Sequence, residues 1–275
     1  MADADAAREP GLPALTPAPA HAPPAQPLGA GGAPPSQPVV TDTAEGSVMS
    51  LADHLGELRT RIVKILAAVV AFAAVGYWRS GEIIDMLRTP IGDRKLVSLS
   101  AGGPFFLYLK IALVVGIILA MPVILYQIWA FVAPGLTPQE RRIVRPWIPV
   151  ALLFFVIGVG VAWVVLPFAL GFLFSFESAS IAITLTIDNY FGFVSTMFLA
   201  FGLTMQFPIV LYVLSRVGIV SSTRLRSARR FVVLGIAIFA TVVTPGGDLV
   251  SPTVLGLTMY ALFEISIIVI KRSGH

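Results

Sequence analysis

Beyond its first fifty residues the chain alternates long apolar runs with short polar breaks. Six runs stand out, at 62–78, 105–131, 147–176, 190–217, 231–243 and 253–270. They are apolar around the whole helical circumference, the pattern of helices that lie in lipid rather than along a water-covered surface. A bilayer core of about 30 Å takes about 20 residues of helix. The fifth run would rise only roughly 20 Å, so either interfacial residues complete it or the last hairpin thins the bilayer. The pattern predicts an all-α integral membrane protein with six transmembrane helices.

An even number of spans puts both ends on one side, and the basic residues say which. Thirteen of the 19 Lys and Arg residues, from Arg59 to Arg272, fall on the side of the ends. Only Arg79, Arg88, Arg94 and Lys95 lie opposite. That excess marks the side of the ends as cytoplasmic.

The helix opening near Ser50 is amphipathic. Leu51, Leu55, Leu58, Ile62 and Ile65 recur at helical spacing, with Glu57, Arg61 and Lys64 on the polar side. Ser50 and Asp53 have the spacing of a helix start, so Asp53 is read as capping the first turn or complementing its dipole. Prolines at 122, 149 and 167 predict kinks and a curved wall.

Composition fits this class and narrows the chemistry. Hydrophobic residues make up 56% of the 275 and charged ones 12%, where soluble domains run near a quarter charged. The net charge of +4 belongs to loops, so nucleic acid is not an expected partner. There is no cysteine, and His21, His54 and His275 lie outside the apolar runs. No metal, cofactor or catalytic residue is therefore expected. Residues 1–49 hold ten of the 21 prolines and read as a disordered Pro/Ala-rich cytoplasmic tail. Either that tail is real or translation starts at Met49. The membrane domain is placed at 50–272.

Acids are scarce on the cytoplasmic face, where Asp53, Glu57 and Glu140 stand apart from the tail. Glu57 could simply pair with Arg61 one turn on, and Glu140 could be a solvated loop acid beside Arg141 and Arg142. The sharper reading is a site for a cationic ligand, where carboxylates receive a guanidinium in a geometry that lysine cannot copy. Lys110, Gln127, Gln206 and Glu264 interrupt the apolar runs. Such groups normally face a neighbouring helix, a partner or a wet cavity. Lys110 is near enough to the outer boundary to snorkel. Glu264 could be held protonated or pair internally. Gln206, two residues before Pro208, would form a polar notch within the fourth helix.

Several segments together resemble the TatC family, the multi-spanning receptor subunit of the twin-arginine protein translocase. They are HLGELRTR at 54–61, PFFLYLK at 104–110, PVILYQIWAFVAPGLTPQERR at 122–142 and FGLTMQFPIVLYVLSRVGIVS at 201–221, then TPGGDLVSP at 244–252 and MYALFEISI at 259–267. The resemblance implies a concave, glove-like arrangement of six helices in the bacterial cytoplasmic (inner) membrane. It implies that Glu57 and Glu140 bind the paired arginines of a signal peptide, with Arg59, Phe131, Pro134 and Leu136 in the same surface. It further implies partners of the single-span TatA and TatB types, met near Gln206, Pro208 and Glu264, self-association within the complex, and export driven by the proton-motive force. Pro90, Lys110 and Asp248 match outer-side functional positions. Gln206 departs from the pattern, since several relatives carry Glu there.

Two other functional classes bear comparison. A small-molecule or ion transporter would carry paired half-repeats and broken midplane helices, and no convincing repeat is present. An intramembrane enzyme would need a nucleophile or an acid pair within the spans; no G-x-S-x-G and no pair of intramembrane aspartates occurs.

Overall fold

The computed structural model describes residues 51–244 and 247–272. The expected tail, with Met49 and Ser50, lies outside them. The chain runs through α1 (Leu51–Trp78), α2 (Ser80–Arg88), a 3-10 turn (Thr89–Ile91), the short strand β1 (Leu96–Val97) and α3 (Gly103–Val132). A second 3-10 turn (Ala133–Gly135), α4 (Pro138–Val144), α5 (Trp147–Phe174) and β2 (Leu185–Thr186) follow. The remainder is α6 (Ile187–Thr204), α7 (Phe207–Arg216), α8 (Ser222–Ser227), α9 (Arg229–Val243) and α10 (Val250–Arg272).

Small residues set which helices touch. A Cβ on Gly116 of α3 would lie 2.8 Å from the Ala73 Cβ and from the Val69 carbonyl oxygen, so α1 and α3 run backbone to backbone. Gly158 of α5 and Gly202 of α6 do the same for the next pair, where a Cβ on Gly158 would meet the Phe201 carbonyl oxygen at 2.5 Å. Close approach through glycine is a usual way for helices to associate in lipid, where hydrophobicity does not drive contact.

The larger core joins Leu107 and Ile111 of α3, Leu166 and Leu170 of α5, and Phe191, Met197 and Phe201 of α6, beneath Ile84, Leu87 and Ile91. A second core gathers Leu211 and Tyr212 of α7, Leu225 of α8, and Phe263, Ile267 and Ile270 of α10. Outside these cores the helices stay apolar: Val70, Val164, Phe168 and Val242 are all 60% exposed or more. An exposed surface made of such residues requires lipid around it.

Among the described residues, four stretches are long and apolar enough to cross a membrane: Gly103–Gly135, Pro138–Phe174, Ile187–Arg216 and Val250–Arg272. The other two expected spans lie in α1 and α9. α9 has 15 residues, a rise of about 22 Å, and the first turns of α1 carry Asp53, Glu57, Arg59, Arg61 and Lys64. Two expected kinks also change character. Pro122 and Pro167 do stand inside helices, but Pro149 sits in the first turn of α5, where a missing N–H disrupts nothing. The expected fourth helix is two: α6 ends at Thr204, α7 starts at Phe207, and Pro208 opens the second piece.

Candidate functional site: the corner of α1 and α3

The N-terminal turns of α1 pack against the C-terminal turns of α3, bringing the two apolar-to-polar boundaries together. Glu57 Oε1 accepts from Arg61 Nε at 2.9 Å and from Nη2. This is the pairing expected one helical turn apart. The fork goes further, because Arg61 Nη1 donates to Gln127 Oε1 of α3 at 3.1 Å. One turn earlier, His54 stacks on Phe131 of α3, with ring centroids 4.3 Å apart and planes 16° apart. His54 Nδ1 is 3.9 Å from Glu57 Oε2, and that oxygen is buried without a hydrogen bond. A buried carboxylate oxygen left unsatisfied is costly.

From Phe131 the chain turns through the 3-10 turn into α4. Leu136 is buried and Pro134 exposed, so the turn is pinned by one side chain and presents the other. Thr137 and Glu140 form a capping box: the Thr137 N–H and hydroxyl each donate to Glu140 Oε2 at 2.8 Å, and the Glu140 N–H donates to Thr137 Oγ1. Glu140 is thus no plain loop acid; it closes the first turn of α4, and its charge favours that helix's positive end. Arg141 lies over the Trp129 ring, 5.6 Å from its centroid, and the Trp129 Nε1–H is buried without an acceptor. Arg59 is exposed.

Against this geometry stand the comparisons. A family model described as Sec-independent protein translocase protein (TatC) matches residues 53–257. The chain belongs to the TatC family. A TatC of Carboxydothermus hydrogenoformans is 35% identical over 230 residues, covering 82% of this chain and 95% of that protein. The Escherichia coli K12 TatC is 36% identical over 224 residues, covering 79% and 86%. A crystal structure of the twin-arginine translocase receptor TatC in DDM superposes with a TM-score of 0.71 at 32% identity, covering 79% of this chain and 99% of that one. The chain is therefore a membrane-embedded component of the Sec-independent translocase, from a family of translocase subunits rather than catalytic enzymes. The transporter alternative has no support in these matches.

The remaining sequence-derived positions fall away from the corner. Gln206 was expected as a polar notch within one helix; it lies between α6 and α7, and its Nε2 donates to the Ala151 carbonyl of α5 at 3.0 Å. The side-chain amide thus ties the break to a neighbouring helix. Gln206 also lines a groove of about 490 Å³ with Leu203, Phe207, Val210, Val232 and Phe239. Pro208 is buried. Glu264 pairs internally, its Oε2 2.7 Å from Arg229 Nη2 at the start of α9. Pro90 is half-buried in the first 3-10 turn, and Lys110 is half-buried on α3. Asp248 is buried, and its Oδ1 accepts the Ser251 N–H in the first turn of α10 at 2.6 Å. Among the described residues, no group of three or more His, Cys, Asp or Glu could hold a metal ion.

Three residues at the corner escaped the sequence reading as site members: His54, Gln127 and Thr137. Thr137 had a signal, the T-x-x-E spacing of a capping box. Gln127 had the signal of an amide inside an apolar run, which named no partner; His54 had none beyond being polar beside one.

Proposed function

We propose that the corner of α1 and α3, with the turn into α4, is where the translocase receives the paired arginines of a twin-arginine signal peptide. The observation that carries this reading is how Glu57 is joined to α3: Arg61, which it holds, reaches Gln127, and His54, beside it, stacks on Phe131 at the helix end that leads into the Glu140 turn. Glu57 and Glu140 supply charge, Phe131 and Leu136 an apolar floor, and Arg59 and Pro134 the exposed rim. Two acids separated by an aromatic platform suit two guanidinium groups on one short peptide.

In this reading α1 and α9 complete six spans in a concave wall, with both ends on the cytoplasmic side of the bacterial inner membrane. The basic-residue excess supports that orientation. The single-span TatA and TatB types meet the groove beside Gln206, Pro208 and α9, near the Arg229–Glu264 pair, and copies of the receptor associate in the complex. Pro90, Lys110 and Asp248 serve the outer side, and the proton-motive force drives export of folded cargo.

The test is binding of a twin-arginine signal peptide to the full chain in lipid nanodiscs. Changing its Arg-Arg to Lys-Lys should abolish most binding, since an ammonium cannot stack or bridge as a guanidinium does. Equal binding of both peptides excludes the corner as the recognition site. Cysteines at Ser180 and Thr223 should be labelled from opposite sides; labelling from one side refutes the six spans.

A further inference from the structure

The corner is incomplete in a specific way. Arg61 gives two nitrogens to one oxygen of Glu57, Oε1, because its third nitrogen is turned toward Gln127. A free Arg–carboxylate pair would instead fork across both oxygens. Oε2 is left buried with no donor. What lies against it is His54, whose Nδ1 at 3.9 Å is beyond hydrogen-bond range and whose ring lies flat on Phe131.

An aromatic platform, a planar nitrogen-bearing group upon it and an unsatisfied carboxylate oxygen at its edge are the parts of an arginine site. A guanidinium is planar, stacks on aromatic faces and donates from its edge. It would keep the stacking that His54 makes and add the hydrogen bond that His54 does not. We infer that His54 is a removable cover occupying the place of one ligand arginine, and that peptide binding expels it from Phe131. The inference rests on the reading of this corner as the peptide site. His54 can leave without unpacking the fold, since its side chain is 39% exposed and it stands in the first turn of α1. It also gives arginine an advantage over lysine: an ammonium has no plane to lay on Phe131 and cannot replace the ring it must remove.

The experiment uses the full chain in nanodiscs, ¹³C-labelled at its three histidines. In the free protein the His54 ring protons should resonate upfield, shielded by the Phe131 ring. Saturation with an Arg-Arg signal peptide should move them to ordinary positions, and a Lys-Lys peptide should not. His54→Ala should bind the Arg-Arg peptide roughly two- to tenfold more tightly, the worth of one stacked ring pair. A His54 resonance that stays shielded with peptide bound overturns the inference, and so does weaker or unchanged binding by His54→Ala. The wild-type resonance needs no variant, so poor folding of His54→Ala leaves the test intact. Glu57→Gln separates the two levels. If it binds the peptide as the parent does, the site itself is wrong; if it binds weakly while His54 stays stacked, only the cover is wrong.

Discussion

Two corners of the molecule are built from similar parts to different ends. At the corner beside β1 and β2, Arg94 meets Glu177 Oε2 at 2.7 Å and lies over the Phe174 ring, 4.1 Å from its centroid. Glu177 Oε1 takes the Ile183 N–H, β1 pairs in parallel with β2, and the buried Tyr190 hydroxyl donates to the Leu87 carbonyl at 2.6 Å. Each of these polar groups has a partner. At the corner of α1 and α3 an acid, an arginine and aromatic rings also converge, yet Glu57 Oε2 and Trp129 Nε1 are buried without one. Satisfied polar clusters rigidify a fold, and an unsatisfied one stores a cost that a ligand can relieve. The contrast sets a satisfied structural clasp against a corner with open polar valences, which is what the proposed peptide site would use.

The largest expected effect tests that contrast directly. Glu57→Gln keeps the shape of the corner and removes its charge, so signal-peptide affinity should fall by about tenfold to a hundredfold, the worth of one charge-assisted hydrogen bond. Titration of a fluorescent peptide in nanodiscs measures it. The same change at the β1–β2 corner, Glu177→Gln, should leave that titration unchanged; if both fall alike, the two corners do not differ in kind.

Tyr190→Phe should do the reverse. It strands the buried Leu87 carbonyl and should lower stability by about 1–3 kcal/mol with peptide affinity intact, as read by denaturation in detergent beside the titration.

Glu140 sharpens the comparison at the α1–α3 corner, because its cap and its charge can be parted. Gln at the same place keeps a capping box, whereas Ala loses it. Glu140→Ala should destabilise α4 by about 1 kcal/mol, visible as faster amide exchange at Arg141 and Arg142. Glu140→Gln should spare that exchange and still weaken peptide binding. A Glu140→Gln protein with full affinity would reduce this acid to a cap.

The smallest effect is on pH. The hydrogen bond from Arg94, then that from the Ile183 N–H, hold the Glu177 carboxyl below its ordinary range. A lowered folded value means the clasp's contribution is complete above the ordinary carboxylate range and is lost as pH falls through the folded value. Amide exchange of β1 and β2, corrected for its intrinsic pH dependence, should stay slow through mild acid and quicken only in strong acid. High salt should blunt the effect, since the pair is partly exposed. Loosening between neutral pH and mild acid would contradict the sign.

The sequence alone determined the class of the molecule, because lipid imposes a composition that no local detail can hide. It placed the ends of most helices and singled out Glu57 and Glu140 by their rarity on a basic face. It held the Thr137–Glu140 box as well, since a cap depends on residues three apart. Tertiary structure decided whatever spans elements. Arg61 reaches Gln127 across 66 positions, Gln206 reaches Ala151 across 55, and Arg229 reaches Glu264 across 35. A side chain's chemistry limits what it can bond. Which partner it meets depends on helix rotation and spacing, and here glycines at 116, 158 and 202 set the spacing by close approach. That is why the bond from Gln206 to its own neighbour α5 could not be read beforehand, and why His54 became visible as part of the candidate site only once α3 lay beside it.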